Sequence, residues 1–241
     1  MARNTGACLI CGEPLMYFET EREMECAVCH RKFMSKASCV HNHYVCDACH
    51  SKKGLEEIMQ VCSRTDSRNP VEIMQELMEY PYIYMHGPEH HVMVGAALLA
   101  AYHNAGGGID LEKSLKEMFA RGRRVPGGAC GFWGSCGAAV STGMFVSIIT
   151  GSTPLSKEAW GQSNCMTAAA LNRIGSLGGP RCCKRNSFSA VLEAVPFVKN
   201  ITGVEMELPE KVVCAFSPEN RQCLGKNCPY HKNTEKNAQA E

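Results

Sequence analysis

Gly87-Pro88-Glu89-His90-His91-Val92-Met93-Val94-Gly95-Ala96-Ala97-Leu98-Leu99-Ala100-Ala101-Tyr102-His103-Asn104 is the stretch that decides the fold. Glycine and proline open it, and the run stops at Gly106-Gly107-Gly108. Between them the residues are apolar on nearly every side, so the segment reads as a helix buried all round at the centre of a helical domain. Its length falls short of the roughly 18 apolar residues a membrane span needs.

Working outward, the neighbours are helical too. Asn69-Pro70 is a cap with proline at the first helical position, and Val71, Met74, Leu77 and Met78 follow at helical spacing. Asp110 caps a helix running to about Ala120, and the glycine-rich residues 122–137 read as a loop. Further helices are expected over residues 137–149, from Thr153-Pro154 to about Ile174, and over residues 185–199. After Gly203 the alternation Val204, Met206, Leu208 predicts a short strand, with a second over residues 212–216. The fold class is therefore mainly α with a short β segment near the C-terminus.

The chain of 241 residues has 45% hydrophobic and 20% charged residues and a net charge of +1. That balance gives no global attraction to nucleic acid or to an anionic membrane. The N-terminal residues carry no apolar run with a cleavage site, so a cytoplasmic location is expected. Sixteen cysteines are the outlier. In a reducing compartment such thiols bind metal or do redox chemistry more often than they form disulfides.

Cysteine spacing divides the chain into a zinc-binding module (1–50), a linker (51–69, with a short helix near Leu55), a helical cysteine-rich domain (70–232) and a polar, disordered tail (233–241). The module has too few long aliphatics to fold unaided, so metal must supply the missing free energy. Cys8-x2-Cys11 and Cys26-x2-Cys29 are two metal knuckles, and Tyr17, Phe18 and Met24 between them could form hairpin strands. Cys39, His43 (preferred over His41), Cys46 and Cys49 complete the donors for two zinc ions. Sequential pairing gives a zinc ribbon followed by a second site. Interleaved pairing gives a cross-braced, treble-clef-like module. Either ligand set is closed, which points to a structural or recognitive role.

A second constellation lies further on. Gly127-Gly128-Ala129-Cys130-Gly131-Phe132-Trp133-Gly134-Ser135-Cys136-Gly137 places two cysteines in a glycine-rich loop, with Cys136 directly before a helix. Helix N–H groups and the macrodipole favour a thiolate there. Gly178-Gly179-Pro180-Arg181-Cys182-Cys183-Lys184-Arg185 repeats the arrangement with three cations. Bridging Cys182 to Cys183 is strained, so the two are expected to act separately. Cys130, Cys136, Cys182 and Cys183, with Cys165 as a further donor, could hold an iron–sulfur cluster. Alternatively, Cys136, Cys182 and Cys183 are catalytic thiols. Cys214, Cys223 and Cys228 form a compact group that could join that site, hold a further zinc or be purely structural. His86, His90 and His91 at the mouth of the central helix suggest a pocket.

Residues 91–151, with Cys136-Gly137-Ala138 after the glycine loop, resemble the redox proteins named for a C-GCAxxC motif. Where that family has a cysteine near the start of its first helix, this chain has His90, His91 and Val92. Taken from Cys8 to Cys228, the chain resembles an uncharacterised domain family of anaerobic prokaryotes, found alone or behind methyltransferase domains. The Gly-Gly-x-Cys-Gly-x-x-Gly-x-Cys-Gly-Ala, Pro-Arg-Cys-Cys-Lys-Arg and Cys-Pro-Tyr-His segments carry that likeness. It implies a role beside methyl or sulfur transfer, though no nucleotide-binding glycine motif follows a strand here. The expected protein is a metalloprotein with structural zinc and a second cysteine site for redox, sulfur-transfer or methyl-transfer-associated chemistry. Its zinc module would dock a protein partner such as a methyltransferase or a sulfur-transfer protein. The alternative is a non-enzymatic, zinc-stabilised adaptor.

Overall fold

The structure is a computed structural model that describes residues 8–233. The expected disordered tail lies, from residue 234 on, outside the described residues. Strands β1 (Leu15–Glu25) and β2 (Lys32–Cys39) form an antiparallel hairpin, with Leu15 opposite Cys39 and Met24 opposite Phe33. Eight helices follow: α1 (Asp47–Cys62), α2 (Pro70–Glu79), α3 (His90–Asn104), α4 (Leu111–Gly122), α5 (Ala129–Phe132), α6 (Gly137–Ile149), α7 (Glu158–Ser176) and α8 (Cys183–Thr202).

Helix α3 is the centre, with every residue from Val92 to Tyr102 buried. A helix with no polar face must be surrounded, and α1, α2, α4, α6 and α8 all pack on it. Close approach to α4 and α6 depends on Gly95. Met118 from α4 and Ser141 from α6 occupy the space a side chain would take, and Ser141 Oγ accepts a bond from Gly95 N at 2.9 Å. Tyr102 meets Phe145 of α6 edge to face, with ring centroids 5.9 Å apart.

Several boundaries differ from those read in the sequence. Helix α1 begins at Asp47, so it reaches from the cysteine module through most of the expected linker. Helix α7 begins at Glu158, because residues 153–156 close a turn of their own in which Thr153 N donates to Ser156 Oγ at 2.9 Å. The glycine-rich loop contains the single helical turn α5, entered through Gly128 at φ +83°.

The expected β segment near the C-terminus does not form. Met206 and Val212 are buried against the helices instead of pairing in a sheet, and Pro209 interrupts the run between them. Only an isolated bridge joins Cys214 to His231. No helix among the described residues is long and apolar enough to cross a membrane.

Candidate metal centres and a thiol-lined cleft

The hairpin decides how the first seven cysteines combine. Cys8-x2-Cys11 precedes β1 and Cys26-x2-Cys29 follows it, so the two knuckles stand at opposite ends of the ladder. Eight residues of β2 rising about 3.3 Å each separate those ends by on the order of 20 Å. The antiparallel register returns Cys39 to the first knuckle. The chain then turns at Asn42 (φ +60°) and presents His43. It next bridges Tyr44 to Cys26, which delivers Cys46 and Cys49 to the second knuckle. The pairing is thus interleaved.

Two groups result, Cys8/Cys11/Cys39/His43 and Cys26/Cys29/Cys46/Cys49, each with its donor atoms within 4.8 Å of one another. Both could hold a metal ion. The Cys11–Cys39 sulfurs are 3.8 Å apart and Cys29–Cys46 3.9 Å, close to the ~3.8 Å edge of a tetrahedron with 2.3 Å metal–sulfur bonds. His43 Nδ1 is buried without a hydrogen-bond partner, as a ligand nitrogen would be. His41 is not in the group.

Backbone N–H groups already point at sulfur: Ile10 N at Cys8 (3.4 Å), His43 N at Cys39 (3.3 Å) and Cys46 N at Cys26 (3.4 Å). Burial raises the Cys26 thiol, but N–H groups of Cys46, Cys29 and Val28 outweigh it and bring it down to about 6. Cys49 is pushed up to about 12, first by burial and then by the neighbouring thiols.

The second constellation does not come together as one set. Cys182 and Cys183 face different surroundings at the start of α8. Cys182 turns towards Cys214, Cys223 and Cys228. Cys183 accepts from Gly87 N and lies near Cys136, while Cys136 lies near Cys130. Cys165 is exposed on α7 and lines neither cleft described below. The grouping of Cys130, Cys136, Cys182 and Cys183 around one cofactor is therefore not what the geometry supports.

The expected low thiol pKa values are also corrected. Burial raises the Cys136 thiol, despite bonds from Asn186 Nδ2 (3.4 Å) and the α6 N–H groups of Ala138 and Ala139. Burial likewise raises Cys182, and it pushes Cys183 up to about 12 against the pull of Arg181. Desolvation of a thiolate outweighs the helix N-terminus when the sulfur sits this deep.

Two clefts meet at Cys130. One of about 640 Å³ runs along the glycine loops, with Cys136, Arg181, Arg185 and Asn186 in its wall. The other, about 390 Å³, lies between the cysteine module and the helical domain. Asp47 and His50 line one side, and His86, His91, Arg181 and Cys183 the other. Phe132 stacks edge to face on Tyr17 of β1 (6.2 Å), and Lys36 of β2 lies 5.2 Å from the Phe132 ring, so the hairpin packs on the glycine loop.

Below the second cleft sits Glu89, wholly buried, with Oε1 3.4 Å from His90 Nδ1 and Oε2 3.5 Å from His50 Nδ1. Burial alone would raise its pKa, but the two histidines hold it well below the usual carboxylate range. Sequence reasoning passed over Glu89. Its signal was an acid directly before an all-apolar helix, beside two histidines.

Comparison with curated proteins and with solved structures gave no match. A family model described as a family of unknown function (DUF5714) matches residues 58–231. That span includes Cys130, Cys136 and Cys183 and the C-terminal group, while the two interleaved metal groups precede it. Covering most of the chain, the match shows that this protein belongs to the family of unknown function DUF5714.

Proposed function

We propose that the chain is a metalloprotein in which two zinc ions hold the N-terminal module as a lid over a thiol-lined cleft, and that redox or sulfur-transfer chemistry takes place in that cleft. Sulfur-rich four-coordinate sets with no open position suit structural zinc. The observation that carries the chemical part is the convergence of Cys130, Cys136 and Cys183 beside His86, His91 and Arg181, at the seam between module and domain. Cys130 is partly exposed and borders both clefts, so it is the thiol a substrate or partner meets first. Once a partner's disulfide has exchanged onto Cys130 as a mixed disulfide and released one thiol, Cys136 or Cys183 attacks the Cys130 sulfur, forms an internal disulfide and releases the partner's second thiol.

Metal analysis with site-resolved alkylation tests this reading. The expected result is about two zinc ions per chain, Cys130 labelled faster than Cys136 and Cys183, and a disulfide from Cys130 to Cys136 or Cys183 after mild oxidation. An inert Cys130 with no such disulfide would sink the chemical part.

A second reading, a zinc-stabilised adaptor, draws support from the exposed apolar residues Ile10, Tyr17, Val28, Met34 and Val40 on the module. They offer a docking face for a protein partner such as a methyltransferase or a sulfur-transfer protein. An inert cleft with retained partner binding favours this reading.

A further inference from the structure

Cys182 and the compact group Cys214, Cys223 and Cys228 line one cavity in the C-terminal part of the domain. Cys182 caps α8, Cys214 lies on the extended segment bridged to His231, and Cys223 and Cys228 flank a turn of 3-10 helix at Gly225–Asn227. The loops that carry them are held in place independently of the sulfurs. Cys214 N donates to Tyr230 O at 2.7 Å, and Tyr230 Oη meets Ser189 of α8 at 2.9 Å.

Each sulfur is approached by amide donors, as in the two N-terminal groups. Arg185 N (3.4 Å) and Asn220 Nδ2 (3.3 Å) point at Cys182, and Gly225 N (3.3 Å) at Cys223. Burial raises the thiols, Cys214 to about 11 and Cys228 in the same direction, and the N–H groups of Phe216 and Tyr230 oppose it. An N–H two residues after the cysteine serves Cys214, Cys223 and Cys228, the same offset seen at Cys8 with Ile10. Amide donors gathered on sulfur stabilise thiolates and offer little to neutral thiols.

The charge in the wall points the same way. Lys184 and Arg185 are both buried and both line the cavity. Arg185 gives Nη2 to the carbonyls of Gly178 and Pro180, while its Nη1 is buried with no hydrogen-bond partner. A buried guanidinium nitrogen left so is costly, and an anion in the cavity would relieve that cost.

Spacing separates a single ion from a cluster. Among the described residues only the two N-terminal groups bring three or more donors within 4.8 Å of one another. The C-terminal cysteines are not drawn into such a set, although they line one cavity, so they lack the close spacing that a single tetrahedral ion needs. From these observations we infer that Cys182, Cys214, Cys223 and Cys228 are the ligands of a [4Fe–4S] cluster. Four thiolates around a 2+ core leave a net charge of 2−, which Lys184 and Arg185 balance. The site is separate from the thiols of the proposed cleft and stands or falls without them.

The test uses the full chain, purified without oxygen and supplied with ferrous iron and sulfide. About four iron and four acid-labile sulfides per chain are expected above the zinc content, with a broad absorption near ~400 nm that dithionite bleaches. Cys214→Ser and Cys228→Ser should each lose most of the iron and keep zinc. Cys130→Ser and Cys136→Ser should keep both. The wild-type measurement decides on its own whether a cluster binds, so a variant that fails to fold does not shield the inference. A third zinc in place of iron, or iron without sulfide, would overturn it. So would iron that is lost in Cys136→Ser and kept in Cys214→Ser.

Discussion

Asp47 Oδ2 accepts a hydrogen bond from Gly127 N at 2.6 Å, across 80 residues of sequence. Asp47 is the first residue of α1, between the metal-group cysteines Cys46 and Cys49, and Gly127 opens the loop that carries Cys130. One carboxylate therefore joins the module to the thiol loop, while favouring the start of its own helix. Asp47→Ala should cost about 1 kcal/mol in urea unfolding and speed alkylation of Cys130, because the loop loses its tether. Asp47→Asn keeps an acceptor and should lose less. Equal alkylation rates in all three proteins would show that the contact does not restrain the loop.

Zinc counting distinguishes the interleaved pairing from a sequential one. Cys11→Ser with Cys39→Ser removes two ligands from one interleaved group and none from the other. The double variant should keep about one zinc per chain, whereas sequential pairing would damage both sites. His43→Ala should lose one ion and His41→Ala neither.

Acid should weaken the fold through the buried histidines. Burial lowers His86 to about 3, and burial also lowers His90 and His91. In the unfolded chain each takes up a proton near pH 6.5. The unfolded state thus binds more protons below that pH, and stability falls as pH falls from about 6.5 towards 3, by up to about 1.4 kcal/mol per unit for each histidine that stays neutral. His86→Gln should flatten the loss measured by urea unfolding between pH 7 and pH 5.5, with zinc content checked at each pH. An unchanged slope would remove His86 from the account.

Gly143 and Gly161 lie on α6 and α7, and they should respond in opposite directions. A Cβ at Gly143 would strike Thr167 Oγ1 and come within 2.9 Å of Ser163 O, a backbone atom that cannot step aside. Gly143→Ala should destabilise by about 1–3 kcal/mol. Nothing lies within 4 Å of the corresponding point at Gly161, so Gly161→Ala should stabilise α7 by about 0.5–1 kcal/mol. Thermal midpoints of the two variants check both signs.

The helices were legible because their signals are local. The caps Asn69 and Asp110 accept from the N–H groups their sequence positions suggest, and Pro70 sits at the first turn of α2. The choice between sequential and interleaved knuckles was not legible, since both need the same spacings and only the hairpin register separates them. Cys182 and Cys183 show a similar limit. Consecutive residues at a helix start diverge, and which cavity each meets is set by residues 30 to 100 positions away. The short strands expected after Gly203 looked right by alternation, yet alternation marks a half-buried extended segment whether or not a partner strand exists.

The hairpin register also sets a schedule for the growing polypeptide. Cys8 and Cys11 emerge early from the ribosome but cannot close a site until Cys39 and His43 follow, and Cys26 and Cys29 wait for Cys49. Neither group can capture its ion alone. Both become complete within about ten residues of each other, less than a few seconds of translation. The module can then be metallated before α3 has been made, ahead of the helices on which it will rest. The four cysteines of the C-terminal cavity are complete only when residue 228 has been added, after the last residue of α8.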